Sequence, residues 1–320
     1  MQIFKNPNYD FVRWRWHAII LSLIIVIAGV SLIATKGLKK GVDFEGGTIV
    51  ILQFNETPDY GRIRGALPND AVVQQYGTDA QRQVLVRVKR TGQEAGGDLS
   101  KEAERIIQTL KSANVGAFQD QPVGTKIVGP VVGEQLRKQG VMATVLAMAG
   151  ILAYIALRFQ FSFAVGAVVA TLHDLLVTVA FLTFFGYDMT LNVIAGLLTI
   201  TGYSVNDTIV VFDRVRENMR SMRRDNLKNI VNVAVNQTLA RTVITAGTTL
   251  LSVIALYLFG GEVLEGFAFT MLVGIISGTY STVFIAASLA IVFQGNRPMK
   301  GQAPPSASTK ADRPSRRRAS

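Results

Sequence analysis

Six long apolar stretches recur along the chain, and most polar and charged residues lie in the segments between them. Each stretch is close to the roughly 20 residues that an α-helix needs to cross a bilayer. The pattern therefore predicts six membrane-spanning helices, at residues 18–35, 140–157, 161–185, 191–212, 242–259 and 266–293.

Residues 36–139 lie between the first two predicted spans and are too many for a loop without secondary structure. Alternating apolar residues predict strands at 48–54, 71–76, 83–89 and 123–128. Helical spacing predicts two helices, at 58–67 and 100–112, with Thr57 and Ser100 as N-caps. The order β-α-β-β-α-β is that of a ferredoxin-like domain. The predicted fold class is therefore an α-helical polytopic membrane protein with a ferredoxin-like α+β exported domain between helices 1 and 2.

The remaining segments are polar or amphipathic. After residues 1–17, the first apolar stretch is expected to be retained as an anchor, because it is longer than a typical signal-peptide core. Residues 213–241 are amphipathic, which is typical of either an interfacial helix or a solvated loop. Residues 294–320 are rich in Pro, Ser, Gly and Arg, and this composition predicts a disordered basic tail.

The distribution of charge predicts how the spans are oriented. The chain has a formal net charge of +11 and contains 33 Lys and Arg residues. The connections 186–190 and 260–265 carry only acidic charges, whereas residues 213–241 and both termini are basic. Because basic connections stay in the cytoplasm, both termini are predicted to be cytoplasmic and residues 36–139 periplasmic or extracytoplasmic. The excess of basic residues then indicates attraction to anionic membrane lipids, with no nucleic acid as a partner.

Ionisable residues inside the predicted spans are candidates for function, because each costs about 2.5 to 3.5 kcal/mol at the centre of a bilayer. They are His173 and Asp174 in span three, Asp207 and Asp213 in span four, and Arg241 where span five begins. At the rise of an α-helix, Asp207 and Arg241 lie about 24 and 28 Å from the outer ends of their spans. Antiparallel neighbouring spans would therefore bring these two side chains together as an ion pair.

The chemistry of these residues allows more than one interpretation. An aspartate that alternates between an arginine and an apolar environment releases and takes up a proton, so Asp207 is a candidate proton carrier. The alternative is a static ion pair that holds two helices together. His173 is either a proton relay or a histidine buried by helix packing. Hydrolytic or ATP-driven catalysis is not expected, because the sequence has no Cys, two distant His residues and no phosphate-binding loop.

Small residues on spans four and six predict close helix packing, at Gly196, Gly202, Ser204, Gly274 and Gly278. A single six-helix bundle does not need all of these faces, and it has limited interior in which to bury its ionisable residues. The pattern therefore predicts that a second six-helix subunit covers span four.

Five short segments of the chain are distinctive. The most specific segments are GVDFEGGT at 41–48 and GYSVNDTIVVFDRVREN at 202–218. They are supported by GPVVG at 129–133, LHD at 172–174 and TLART at 238–242. Together these segments resemble the SecD/SecF family of bacterial protein-export subunits. The resemblance extends over about residues 5–295.

The resemblance implies a subunit that joins SecD in a pseudo-symmetric unit of the RND superfamily in the bacterial inner membrane. Such a unit assists the SecYEG channel and the SecA motor, with YajC and YidC as further partners, and moves a translocating polypeptide with the proton gradient and without a bound cofactor. By position, Asp207 and Arg241 match the family's proton-pathway residues. Asp213, Asp174 and His173 are candidates for the same pathway.

The resemblance also places Asp43 in the motif that links the first span to the exported domain. Gly41, Gly46 and Gly47 predict a hinge at this motif, whereas Asp43 is either part of the hinge or the cap of a turn. Two rival functions remain. A small-molecule exporter of the same superfamily would normally join two such halves in one chain, and a structural scaffold would not need the intramembrane charges.

Overall fold

The computed structural model describes residues 7–68, 71–88, 99–128, 130–158 and 161–294. Most of the predicted basic tail lies outside the described residues. The helices are α1 (Arg15–Lys36), α2 (Val42–Glu45), α3 (Tyr60–Gly65), α4 (Leu99–Ser112), α5 (Pro130–Arg158), α6 (Phe161–Phe185), α7 (Leu191–Ser221), α8 (Leu227–Phe259), α9 (Glu262–Ser281) and α10 (Ala287–Gln294). The strands are β1 (Gly47–Gln53), β2 (Val72–Tyr76), β3 (Gln83–Val88) and β4 (Gly124–Val128).

Six helical stretches in this part of the chain are long and apolar enough to cross a membrane. They are α1, α5, α6, α7, α8 and the continuous stretch formed by α9, a π-helical segment at Thr282–Ala286, and α10. The outer helices α1, α5 and α8 expose large apolar side chains, among them Leu23, Leu146 and Leu251. These side chains are covered if lipid surrounds the bundle, so the predicted polytopic helical fold is confirmed.

Glycines allow α9 to approach α7 closely. A Cβ at Gly274 would overlap the side chain of Ile200, and a Cβ at Gly278 would lie 3.1 Å from Cβ of Ser204. Gly196 on α7 is packed against α9 in the same way. The prediction that these small residues leave faces free for a second subunit is therefore wrong for Gly196, Gly274 and Gly278, because packing within the chain already uses them.

The segment between α1 and α5 folds into an antiparallel sheet with the strand order β2-β3-β1-β4. Val50 and Leu52 of β1 and Val84 and Val86 of β3 are fully buried on one face, together with Leu110 of α4. Alternation in the sequence leaves only this face to be covered, and α3 and α4 cover it. This arrangement confirms the predicted ferredoxin-like domain, which we call the sheet domain.

Two helix starts in the sheet domain differ from the prediction. Asp59, not Thr57, caps α3, because its Oδ1 accepts hydrogen bonds from the N–H groups of Gly61 and Arg62 at 3.0 and 3.1 Å. A carboxylate at this position also interacts favourably with the helix dipole. Ser100 is not an N-cap either, because it lies inside α4.

Residues 213–241 are neither the predicted loop nor an interfacial helix. α7 continues to Ser221 and α8 already begins at Leu227, so only a short turn separates them. Asn226 caps α8 by accepting a hydrogen bond from the N–H of Asn229 at 2.8 Å. The apolar residues of this segment are buried at helical spacing and therefore extend the two spans; they include Val215, Ile230, Val231 and Val235.

Other spans also extend beyond their predicted ends. α5 begins at Pro130, although the span was predicted at 140–157, and α1 begins at Arg15, although the span was predicted at 18–35. Hydropathy marks only the apolar part of a helix, so polar turns that continue the same helix are missed.

The segment before α1 is held against α8 by two asparagines one helical turn apart. Asn232 accepts a hydrogen bond from the N–H of Phe11 at 2.9 Å and donates one to the carbonyl oxygen of Tyr9 at 3.0 Å. Asn236 accepts from the N–H of Tyr9 at 2.8 Å and donates to the same carbonyl oxygen at 2.8 Å. These bonds satisfy backbone groups of an irregular segment and tie it to the fifth span.

Candidate functional site

Asp174 is the most completely buried carboxylate among the intramembrane candidates, with 1% of its surface exposed. Three serine hydroxyls from two other helices donate hydrogen bonds to it. Ser204 of α7 and Ser281 of α9 donate to Oδ2 at 2.6 and 2.7 Å, and Ser277 of α9 donates to Oδ1 at 2.7 Å. We call these residues, with His173, the Asp174 cluster. It joins three helices at one polar point in the middle of the bundle.

The sequence analysis did not identify Ser277 and Ser281 as site residues. The signal available was their spacing of four residues, which places both hydroxyls on one face of an otherwise apolar helix. Ser281 is followed directly by the π-helical segment, and such segments are frequent at functional sites. Thr282 in that segment contacts Thr208 of α7 through their hydroxyls at 2.9 Å. The polar contacts between α7 and α9 therefore continue along the helices.

His173 contributes one ring nitrogen to the cluster. Its Nδ1 lies 3.1 Å from Oδ1 of Asp174. Its Nε2 is buried and has no hydrogen-bond partner among the residues described. The ring lies beside Tyr280, whose hydroxyl donates to the carbonyl oxygen of Ala18 in α1 at 2.8 Å. The ring therefore contacts the carboxylate through Nδ1 and packs beside Tyr280, and this geometry fits both the proton relay and the buried structural histidine.

Asp207 and Arg241 lie on neighbouring helices, but they do not form the predicted ion pair. Oδ1 of Asp207 accepts a hydrogen bond from the hydroxyl of Thr242 at 2.9 Å. Oδ2 of Asp207 is buried without a hydrogen-bond partner in the described part of the chain. The side chain of Arg241 is exposed. The depth argument thus selected the correct pair of helices, and Thr242, which follows Arg241 directly, occupies the position expected for the arginine.

Asp213 lies apart from these groups, at the edge of the bundle. It is exposed, and its Oδ1 is 3.6 Å from Nη2 of Arg158 at the end of α5. An exposed ion pair of this kind contributes little to stability. Its role in a proton pathway stays a prediction.

Within the described residues no group of three His, Asp or Glu side chains is placed to hold a metal ion.

Asp43 connects the sheet domain to the transmembrane bundle. Its carboxylate is almost fully buried, with Oδ1 2.7 Å from Nζ of Lys126 on β4. Oδ2 accepts a hydrogen bond from the N–H of Leu191, the first residue of α7, at 3.1 Å. Arg87 of β3 forms a further ion pair with Asp188, which lies just before α7. We call these five residues, together with Gly41, Gly46 and Gly47 of the predicted hinge, the junction. Asp43 thus accepts from the first N–H of α7, whose N-cap residue is Thr190, and it does not cap the turn in which it lies.

The glycines of the predicted hinge are part of this junction. The N–H of Gly41 donates to the carbonyl oxygen of Met189 at 2.8 Å, and a Cβ on Gly41 would lie 2.9 Å from that oxygen. Gly46 and Gly47 have φ values of 74° and 138°, which favour glycine strongly. Gly133 of α5 packs on the backbone of Gly46. The region is packed and hydrogen-bonded in this state, and hinge motion stays a prediction.

A second polar cluster lies between the ends of α6, α8 and α9 nearest the sheet domain. The hydroxyl of Tyr187 donates to Oε1 of Glu265 at 2.7 Å and lies 3.1 Å from the hydroxyl of Tyr257. Burial raises the pKa of the Tyr187 hydroxyl, and its hydrogen bonds to Tyr257 and Glu265 raise it further. Tyr187 therefore stays protonated and acts as a donor that ties the helix ends together.

Two family models match this chain. The model described as protein export membrane protein SecD/SecF, C-terminal, matches residues 108–296, and the SecD/SecF GG motif model matches residues 31–58. The chain belongs to the SecD/SecF family. The GG motif match contains Asp43, Gly46 and Gly47 of the junction, and the C-terminal match contains the Asp174 cluster, Asp207 and Arg241.

Relatives within the SecD/SecF family are similar over most of their length. A protein translocase subunit SecF from Rhodothermus marinus is 39% identical over 301 residues, covering 91% of this chain and 95% of the relative. One from Pseudomonas aeruginosa is 40% identical over 289 residues, covering 88% and 90%. Both relatives carry a SecF name. The resemblance inferred from the sequence motifs is therefore confirmed.

A solved structure supports the same family assignment. The crystal structure of SecDF, a translocon-associated membrane protein from Thermus thermophilus, superposes with a TM-score of 0.79 at 31% identity. It covers 90% of this chain, and this chain spans 39% of that longer chain. The chain described here is thus a multi-pass membrane protein that matches one part of a larger SecDF polypeptide.

Proposed function

We propose that this chain is the SecF-type subunit of a SecDF complex, which uses the proton motive force to assist SecYEG- and SecA-dependent protein translocation across the bacterial inner membrane. The observation that carries the proposal is the burial and hydrogen bonding of the two carboxylate oxygens of Asp207. One of its oxygens is hydrogen-bonded to Thr242, and the other is buried next to the turn that carries Arg241 and has no hydrogen-bond partner among the residues that the structure describes. The subunit acts without hydrolysis and without a bound cofactor.

The unpaired oxygen of Asp207 provides a place for a proton or for a guanidinium. When Arg241 turns inward and pairs with it, the carboxylate is stabilised as an anion. When Arg241 faces outward, as it does here, a proton neutralises the buried oxygen. A cycle between these two arrangements moves protons through the bundle and changes the contact between α7 and α8.

The junction provides a route from this contact to the sheet domain. Asp207 lies on α7, and the first N–H of the same helix is bonded to Asp43. Lys126 and Arg87 then connect Asp43 and Asp188 to two strands of the sheet. Because a helix transmits a displacement along its axis, movement of α7 at Asp207 reaches the sheet domain. With both termini in the cytoplasm, this domain is periplasmic and acts on the translocating polypeptide.

The test measures protein export into inverted membrane vesicles, with and without a proton gradient, for the wild-type complex and for Asp207→Asn. One charge that crosses the full field is worth about 2.3 kcal/mol per 100 mV, roughly fiftyfold in an equilibrium. We expect Asp207→Asn to abolish the gradient-dependent part of export and to leave SecD binding and gradient-independent export unchanged. Glu217→Gln is the matched control, because Glu217 is an exposed carboxylate on the same helix that pairs with Arg214, and it is expected to keep the stimulation.

The competing functions predict different results from the same vesicles. A structural scaffold predicts normal gradient-stimulated export for both Asp207→Asn and Arg241→Met as long as the complex assembles. That outcome would contradict proton coupling through Asp207.

An outward stripe on α7 supports SecD as the partner. Ala195, Thr199, Gly202 and Asn206 are exposed and lie on one helix face. Apart from the adjoining backbone of α7 itself, no atom of the described residues lies within 4 Å of the position that a Cβ on Gly202 would take. An asparagine facing lipid is costly, and small residues favour close contact with another helix. We therefore infer that the membrane helices of SecD cover this stripe, while SecYEG, SecA, YajC and YidC join through the assembled complex.

Two leucine substitutions separate the partner contact from the fold of the chain itself. Gly202→Leu is expected to reduce co-purification with SecD by about tenfold, because the stripe can no longer approach another helix. The chain should still elute as a folded species. Gly274→Leu is expected to unfold the bundle, because its side chain would overlap Ile200. Normal recovery of SecD with Gly202→Leu would show that the partner binds another face.

A further inference from the structure

An open pocket lies on the side of the bundle opposite the sheet domain, where α1 and α8 begin. Its volume is about 410 Å³. One wall is the N-terminal segment, and the other is the first turn of α8 around Lys228. Asn232 accepts a hydrogen bond from the N–H of Phe11 and donates one to the carbonyl oxygen of Tyr9, and these bonds hold the two walls together. The pocket is therefore shaped by specific bonds between distant parts of the chain.

The pocket has a net positive charge. Arg13, Arg15 and Lys228 line it, and Asp10 is the one acidic residue among the lining residues. Oδ1 of Asp10 already accepts a hydrogen bond from the N–H of Arg13 at 3.0 Å. Nη1 of Arg15 is buried, and no residue in the described ranges accepts a hydrogen bond from it. A buried guanidinium donor without an acceptor is costly, so the site needs an anionic oxygen from outside the chain.

The position of the pocket identifies the source of that oxygen. Trp16 lines it, and Trp14 lies in the chain between the lining residues Arg13 and Arg15. Trp14 and Trp16 are 62% and 54% exposed, and exposed tryptophans at the end of a span are typical of the headgroup region of a bilayer. Arg15 also lies over the ring of Trp16, with its guanidinium carbon 5.6 Å from the ring centroid. Basic pockets between transmembrane helices bind the headgroups of anionic lipids. We propose that this pocket binds the phosphate of an anionic phospholipid, with Arg15 as its main ligand.

Fluorescence of the chain's own tryptophans tests the proposal. The sequence contains two Trp residues, of which Trp16 lines the pocket and Trp14 is adjacent in the chain to the lining residue Arg15. The full chain, in complex with SecD, is placed in phosphatidylcholine bilayers that contain increasing amounts of phosphatidylglycerol with brominated acyl chains, which quench nearby tryptophan. Brominated phosphatidylcholine is the reference lipid. We expect the wild type to prefer phosphatidylglycerol by about tenfold, because each Lys or Arg near an anionic surface contributes roughly fivefold.

Three variants distinguish a specific lipid-binding site from nonspecific electrostatic attraction to the membrane. Arg15→Gln is expected to reduce the preference to less than about twofold, and Lys228→Gln to reduce it about threefold. Arg216→Gln is the matched control, because it removes one positive charge from an exposed position on the same side of the bundle but outside the pocket. It should keep the wild-type preference. Equal losses for Arg15→Gln and Arg216→Gln would overturn the proposal.

Inorganic phosphate forms the second arm of the experiment. If phosphate changes the tryptophan emission in an Arg15-dependent manner while phosphatidylglycerol shows no preference, the site binds free phosphate and the lipid assignment is wrong. If Arg15→Gln does not fold, Lys228→Gln decides the question, because its side chain lies at the surface. An unchanged preference in Lys228→Gln then contradicts the proposal.

Discussion

Replacing Asp174 with alanine is expected to abolish accumulation of the folded protein or to lower its unfolding temperature severely. The substitution leaves the hydroxyls of Ser204, Ser277 and Ser281 buried without their acceptor and opens a cavity where α6, α7 and α9 meet. Interhelical hydrogen bonds in membranes are worth about 0.6 to 1.7 kcal/mol each, so the three bonds account for about 2 to 5 kcal/mol. This is a large part of the about 5 to 15 kcal/mol that holds a typical protein folded.

The matched variant for this experiment is Asp174→Asn. Its side chain has the same shape and retains one oxygen acceptor, and the serine hydroxyls can rotate to accept from its amide. We expect thermal unfolding in detergent to show a small loss for Asp174→Asn and a large one for Asp174→Ala. Equal stability of the alanine variant and the wild type would mean that the cluster does not hold the three helices together.

Replacing Asp43 with alanine is expected to uncouple the sheet domain from the membrane bundle. The variant loses the acceptor for the first N–H of α7, worth about 1 kcal/mol, and the ion pair to Lys126. Lys126 is half-exposed and is hydrated after the loss, so the fold should survive. Coupling free energies between sites are typically about 1 to 3 kcal/mol, and gradient-stimulated export should therefore fall by about five- to a hundredfold.

The control for Asp43→Ala removes an ion pair from the sheet domain without touching the junction. Lys111 and Asp120 form such a pair at 2.8 Å, and both are exposed. Lys111→Gln should leave gradient-stimulated export at the wild-type level. Asp43→Asn should retain part of the stimulation, because its amide oxygen still accepts from the N–H of Leu191. Full stimulation in Asp43→Ala would show that the force reaches the sheet domain by another route.

The architecture was predictable because it depends on patterns that extend over many residues. Apolar stretches of span length predicted the six helices, and alternation in β1 and β3 predicted the sheet. The ends of the helices were less predictable, because two helices are longer than their apolar parts. α5 includes polar turns that begin at Pro130, and α7 includes polar turns beyond Asp213. Hydropathy reports where lipid contacts a helix, and a helix does not end where lipid contact ends.

The candidate site was predictable in its charged members and not in their partners. A carboxylate in an apolar helix is conspicuous, and Asp174 and Asp207 were identified for that reason. Serine and threonine are ordinary in membrane helices, so Thr242 was not marked as a partner of those carboxylates, and the four-residue spacing of Ser277 and Ser281 showed a shared face without showing which carboxylate it meets. The depth argument correctly placed Asp207 beside the start of span five, but the rotation of α8 and the rotamer of Arg241 depend on packing that the sequence does not display.

The attachment of the N-terminal segment to α8 constrains how the protein is made. Tyr9 is bonded to Asn236, which leaves the ribosome 227 residues later. Synthesis at about 5 to 20 residues per second separates the two by roughly 10 to 45 seconds. During this interval α1 is already in the bilayer while its amino-terminal extension waits for the helix that will hold it. Closure of the bundle at this edge is therefore a late event of biogenesis, and a nascent chain halted before α8 should leave the extension open to added protease.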